Sequence, residues 1–348
     1  MIPRRTLLQS GAAVALGAPA LIGLAQETFT LRFHTQSTAM STVWRTIDQP
    51  WMEKIERESG GRIRFQGFPS MQLGGAPAGL FDQARDGVAD ITWTLTGITA
   101  GRFPRAEVFE LPFFMAGSAE ATSKAFWEYI HTNAPDEFRG VKLLALHVHG
   151  PGLFHFRERA ITRPEDLRGQ RVRAPTRMIN RLLTHLGATP VGMPAPQVPE
   201  ALSRGVIDGA LFPWEVVPGL RVHELVRYHS EFDVAGGAIY TITFARVMNQ
   251  RRFDTLPPDL QRIIDNNSGL EASGQHGRLQ QAGDAAARQL AADRGNQINV
   301  IRLAQAQEFR RLARQVEAEW IQDMNRRGFN GQNLIASAKQ LIDKHSRA

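Results

Sequence analysis

From Thr28 to His34 apolar and β-branched residues alternate with polar ones, the period-two pattern of a half-buried strand. Trp44, Ile47, Trp51 and Ile55 then fall on one face of a 3.6-residue period, which predicts a helix that Pro50 kinks or splits. Further strands are expected over Arg62–Phe68, Ala89–Thr94, Lys142–Val148, Gln170–Arg173 and Val206–Leu211. Helices are expected over Gly79–Asp86 and Met178–Leu186, the second closed by Gly187. This alternation predicts an α/β fold with largely parallel sheets and helices packed on them.

Beyond Asn249 the character changes. Leu256-Pro257-Pro258-Asp259 suits the first turn of a helix, and Leu260 to about Arg294 is rich in Ala, Gln, Leu and Arg, broken only by glycines. The pattern predicts one very long helix or two collinear ones. A short strand near Ile298–Ile301 and a helix over Gln305–Asn325 then complete the chain. With 348 residues and no low-complexity linker, two compact units joined by crossing elements are expected. The expected division is 27–149 plus 236–267 for one unit, and 150–234 plus 268–348 for the other.

The first 25 residues form a separate unit. Arg4 and Arg5 precede the apolar, small-residue stretch Gly11–Leu24, and Gly23-Leu24-Ala25 suits a small-x-small cleavage site. This is an export signal, of twin-arginine or ordinary secretory type, with the mature chain starting near Gln26. About 15 apolar residues fall short of the ~20 that span a bilayer, so stable membrane insertion is not expected. The formal charge of +7 raises nucleic acid as a partner. Yet Arg is interspersed with Glu, as in Glu308-Phe309-Arg310-Arg311, and no basic window carries interleaved aromatics, so a nucleic-acid surface is not expected. The absence of Cys removes disulfides, thiolate metal sites and cysteine nucleophiles.

Enzyme motifs are missing: there is no nucleophile elbow, no phosphate-binding loop, no zinc-protease helix and no dinucleotide fingerprint. His147 and His149 stand on one face of a strand and could be two metal ligands, but no third ligand is evident. Lining a crevice or bonding to backbone is the expected role. Asp208 and Glu215 could be imagined as a carboxylate pair; a structural bond at a strand end is the expected role of Asp208. No cofactor and no metal are expected.

The most informative stretch is Pro164-Glu165-Asp166-Leu167-Arg168-Gly169-Gln170-Arg171-Val172-Arg173-Ala174-Pro175. It strongly resembles the substrate-binding subunits of tripartite ATP-independent periplasmic (TRAP) transporters, the DctP-like family. Gly187-Ala188-Thr189-Pro190, Met193, Ala201-Leu202 and Gly205-Val206-Ile207-Asp208-Gly209 follow in the family's order. Gly60-Gly61-Arg62-Ile63, Gln72-Leu73-Gly74-Gly75, Gly87-Val88-Ala89-Asp90 and Leu111-Pro112-Phe113 match its N-terminal part, and Asn249 with Leu256–Gln261 the entry to its long hinge-spanning helix. The resemblance covers nearly all of the chain after the export signal.

It implies a two-domain periplasmic clamp that binds an organic acid and delivers it to TRAP membrane permease subunits, without being an enzyme. It also implies that Arg173 holds the ligand carboxylate. The planar guanidinium meets a carboxylate through two parallel charge-assisted bonds, although a structural Arg–Asp pair is the alternative from the residue alone.

The chain departs from the family pattern of many dicarboxylate and sialate binders. Phe212 stands where those have a pocket Asn, Leu153 where sialate binders have a second Arg, and Leu95 where they have a carboxylate. Gln36 stays polar, and Trp93, Trp214 and Tyr240 complete the expected ligand-binding set. Three polar contacts replaced by apolar ones favour a monocarboxylate with a hydrophobic or aromatic body. A C4-dicarboxylate, a periplasmic carboxylate-processing enzyme and a ligand sensor are the alternative readings.

Overall fold

The computed structural model describes residues 27–115 and 117–347; the expected export signal lies outside them. Eleven strands among the described residues build two sheets. These are β1 Phe29–Thr35, β2 Ile63–Phe68, β3 Ile91–Leu95, β4 Val141–Val148, β5 Gly152–Phe156, β6 Arg171–Ala174, β7 Thr189–Gly192, β8 Gly209–Pro213, β9 Tyr228–Phe232, β10 Thr243–Asn249 and β11 Gln297–Ile301. The first sheet runs β2-β1-β3-β10-β4 and the second β11-β9-β5-β8-β6-β7.

The α/β class holds and the sheets are largely parallel, each with one strand that runs against the rest. β1 is parallel to β2 and β3, whereas β10 enters antiparallel between β3 and β4. In the second sheet β5 is antiparallel to β8 and β9. The antiparallel members are the strands that follow a crossing: β5 comes directly after β4 of the first sheet, and β10 returns from β9 of the second. Short alternation gave no warning of them. β5, β9 and β10 carry buried residues on both faces and so show no period of two.

The helix runs unbroken through Pro50, and a π-helical turn just ahead of the proline accommodates it. That turn covers Trp44–Asp48 and gives way to an α-helix over Gln49–Glu58. The strand expected over Val206–Leu211 begins three residues later, at Gly209, where Asp208 joins it to β6 through both its backbone N–H and its carboxylate.

The long helical stretch forms in two pieces joined at Gly283, which keeps helical dihedrals, and a separate shorter helix precedes it. Helices cover Pro258–Asn266, Gly269–Ala282 and Asp284–Asp293. Gly269 takes a φ of 91°, which turns the chain at the first break. The glycines of the second piece are a contact surface. A Cβ on Gly277 would collide with Ser123 Oγ and the Ala119 carbonyl, so its absence lets this helix lie flush on the Ala119–Asn133 helix. The C-terminal helix extends over Leu303–Arg326, and a further unforeseen one, Gly331–Ser346, follows.

These contacts also redraw the expected division. Gly269–Ala282 packs on β4 and Ala119–Asn133, and Gly331–Ser346 packs on the same helix, so both belong beside the first sheet. Leu303–Arg326 packs on the Arg177–His185 helix of the second. The C-terminal third is thus shared between the sheets.

Candidate functional site

A cleft of about 730 Å³ opens where the two sheets face each other. From the first sheet come Gln36, just past β1, Trp93 and Leu95 of β3, and Phe244 of β10. From the second come Arg173 of β6 and Phe212 of β8. The crossings supply His149, after β4, and Tyr240, before β10. A cleft at strand ends suits short side chains of backbone-fixed direction, because each strand delivers its last residues to the same place.

Arg173 is 3% exposed. Its Nε donates to the Met193 carbonyl at 3.2 Å and its Nη1 to the Leu211 carbonyl at 2.9 Å. The guanidinium carbon lies 4.4 Å from the centroid of the Phe212 ring. Among the described residues no carboxylate comes within ion-pair distance of it, so the structural Arg–Asp alternative has no partner here. Burial pulls its pKa down to about 10, partly offset by Tyr240. The group remains cationic at neutral pH, buried and without a counter-charge.

Much of the remaining wall is aromatic and apolar, with polar side chains from Gln36, Ser37, Thr42, Glu215 and Gln280 among it. Trp93 and Phe244 stack at 4.5 Å and 15°, and the Trp93 indole N–H donates to His147 Nε2 at 2.8 Å, away from the cleft. That bond explains His147: it fixes a platform, and burial holds its pKa down to about 3. His149 stands edge-on to Tyr240 at 5.3 Å. Gly152 makes room for Tyr240, since a Cβ there would strike its ring.

A patch of carboxylates closes one end. Glu215 accepts from Gln280 Nε2 at 2.7 Å, and its backbone N–H donates to Asp284 Oδ1 at 2.9 Å. Burial pushes Glu215 up to about 7 and, together with the Glu215 charge, Asp284 up to about 8. Asp208 is remote from this patch and bonds the Arg171 backbone and guanidinium, the structural role expected of it.

The cleft therefore brings together Gln36, Trp93, Leu95, Arg173, Phe212 and Tyr240 of the expected set, and leaves out two. Trp214 turns away: its indole N–H donates to Glu231 Oε2 at 2.8 Å and its ring packs on His229 at 4.7 Å. Leu153 is paired with Phe212 across β5 and β8 and packs in the same core cluster, but does not reach the cleft lining. Phe244, Gln280 and Glu215 join the lining. The run Tyr240-Thr241-Ile242-Thr243-Phe244 is β-branched and aromatic, the signal that could have found Phe244; nothing in the helical sequence marks Gln280.

Comparison with known proteins accords with this geometry. The model of the family DctP, bacterial extracellular solute-binding protein family 7, matches residues 34–323. A TRAP solute-binding protein from Rhodoferax ferrireducens, solved with copurified benzoate, is 57% identical with a TM-score of 0.91, over 92% of this chain and 99% of that one. A marine metagenome TRAP solute-binding protein specific for aromatic acid ligands, solved with metahydroxyphenylacetate, is 42% identical with a TM-score of 0.89, over 91% and 99%. A TRAP periplasmic protein from Bordetella bronchiseptica, solved with (R)- and (S)-mandelate, is 28% identical with a TM-score of 0.82, over 90% and 99%.

Proposed function

The chain belongs to bacterial extracellular solute-binding protein family 7, and from that premise we propose that it captures an aromatic monocarboxylate in the periplasm and delivers it to TRAP membrane permease subunits. The single observation that carries the ligand class is Arg173, a buried cation lacking a protein counter-charge, stacked on Phe212 in a cleft that also holds Trp93, Tyr240 and Phe244. A carboxylate replaces the missing counter-charge through the guanidinium edge not committed to Met193 and Leu211. An aryl body gains roughly 25 cal/mol per Å² on burial, and stacking on Phe212, Trp93 or Phe244 adds about 0.5–1.5 kcal/mol.

A second carboxylate has no such cation to meet. An unpaired charge in this cleft is costly, and Glu215 would repel it. The proposed role is binding and not catalysis, since the cleft pairs no nucleophile with a base. Delivery to a permease accords with a described chain in which no helix is long and apolar enough to cross a membrane. Closure of the two halves around the ligand would give the permease a distinct form to read.

The test is a thermal-shift screen across organic acids followed by calorimetry. A ligand at about 100 times its dissociation constant adds roughly 2.7 kcal/mol of stability. Benzoate, hydroxybenzoates and mandelate are expected to bind, with succinate, malate, fumarate and sialate inert. Micromolar binding of a C4-dicarboxylate with aryl acids inert would overturn the ligand class and leave the family assignment standing.

A further inference from the structure

We propose that the cleft selects, among aryl carboxylates, those that carry a hydroxyl group, and that His149 is the acceptor that selects them. This deepens the reading of the cleft as a carboxylate site and rests on it.

His149 is 1% exposed and lines the cleft. Its Nδ1 faces the Gly150 carbonyl oxygen, which can only accept, so Nδ1 carries the ring proton. Burial first, and then the Arg173 charge, hold the ring neutral, with its pKa down to about 4. Nε2 is therefore a bare lone pair, and no described residue donates to it.

Two more acceptors of the cleft lining, both amide oxygens, are in this condition. Gln36 Oε1 and Gln280 Oε1 are buried and unpartnered among the described residues. The Gln280 amide nitrogen is committed to Glu215, so what Gln280 offers the cleft is its oxygen. Gln36 can present either end of its amide. The cleft thus holds an excess of acceptors and one Arg edge as its charged donor.

In an open cleft water satisfies these groups. When a ligand fills it, water leaves, and each buried acceptor needs a donor from the ligand. The carboxylate cannot serve, because its oxygens only accept and are taken up by Arg173. An aromatic ring cannot serve either. An alcoholic or phenolic hydroxyl can, and it places an O–H against a nitrogen whose tautomer is already fixed. An unsubstituted aryl acid still gains the Arg173 contact and binds, more weakly.

Calorimetry on the protein with matched ligands tests this. Benzoate is compared with the three hydroxybenzoates and their methyl ethers, and phenylacetate with mandelate. At least one hydroxy acid should bind ~10-fold or more tightly than its parent, with no such gain for the ethers, which lack the donor. In His149→Phe the ratio of hydroxy acid to parent should fall to about one, whatever the absolute affinities. Equal binding of parents and hydroxy acids by the unaltered protein overturns the inference, and so does a ratio that survives His149→Phe. If the variant does not fold, the ligand ratios of the unaltered protein decide alone. If a folded protein binds neither parents nor hydroxy acids, the carboxylate reading falls and takes this inference with it.

Discussion

Arg173 stands beside Phe212 because β6 and β8 run parallel with Arg173 opposite Ala210, two residues before the ring that its guanidinium covers at 4.4 Å. Strand register, and not side-chain search, sets the pair. The ring and two backbone carbonyls hold the cation, but none of them neutralises it. Such a group costs stability in the empty protein and pays off only when an anion arrives.

That asymmetry separates affinity from stability at Arg173. Arg173→Ala should weaken aryl carboxylate binding at least ~30-fold, from the 2–5 kcal/mol typical of a truncated buried charge partner. Arg173→Lys should recover only part, because the paired donors are lost. The unliganded Arg173→Met protein should melt at or above the unaltered one. Calorimetry and thermal melting read the two effects independently, and a clearly lower melting temperature would mean that the carbonyl bonds outweigh desolvation.

Phe212 and Trp214 should behave differently despite being neighbours in sequence. Phe212→Asn removes the stacking face and reduces the preference for aryl over dicarboxylic acids, by roughly 3- to 10-fold for one aromatic contact. Trp214→Phe leaves affinity within about twofold. It lowers stability by about 1 kcal/mol through loss of the bond to Glu231. A large affinity loss in Trp214→Phe would put its ring back in the site.

Glu215 gives a pH signature. Its folded pKa is raised from 4.5 to about 7, so the native state holds the proton more tightly than the unfolded chain. Its stabilising contribution is complete below about pH 4.5 and is lost as pH rises through 7. Asp284, bonded to the Glu215 backbone and raised from 3.8 to about 8, loses its share over a wider window that ends as pH rises through 8. Glu215→Gln, which keeps an oxygen for Gln280, should therefore gain on the unaltered protein between pH 5 and 8, by about 3 kcal/mol at the limit. Chemical denaturation of the ligand-free proteins across that range checks it. A constant difference would show that Glu215 is ionised throughout.

Gly277→Ala tests the helix contact. The new methyl meets Ser123 Oγ and a backbone carbonyl that cannot swing aside, so the change should cost ~1–3 kcal/mol although alanine is the better helix former. A neutral or stabilising result in denaturant titration would mean that the two helices can part without loss.

Strands with clean alternation and helices with one apolar face were legible in the sequence: β1, β2, β3, β4 and Arg177–His185 fall within a few residues of expectation. β5, β9 and β10 were not, since their residues show no sustained alternation of apolar and polar positions. The glycines at 269, 274 and 277 could be read as gaps in a helix but not as one turn and two contacts, because that distinction depends on what lies opposite. Within the cleft, Arg173 and Phe212 were readable from a local motif. His149 was noticed as a histidine and not as an acceptor, since its tautomer is decided by the Gly150 carbonyl. That Trp214 leaves the cleft is not visible in the sequence, because it follows from β8 ending at Pro213 and from the indole bond to Glu231.

The insertion of β10 between β3 and β4 bears on how the chain is made. Until residue 249 has been synthesised, the first sheet consists of β2-β1-β3 and a separate β4, each with an open edge where β10 will sit. This interior strand arrives only after the whole of β5–β9 has emerged. The amino-terminal 150 residues are thus no autonomous folding unit, and a fragment ending near residue 235 would expose two sticky strand edges and aggregate. Nascent protein must be kept from such pairing through about two thirds of its length, which makes this molecule a demanding client for whatever holds it until translation is done.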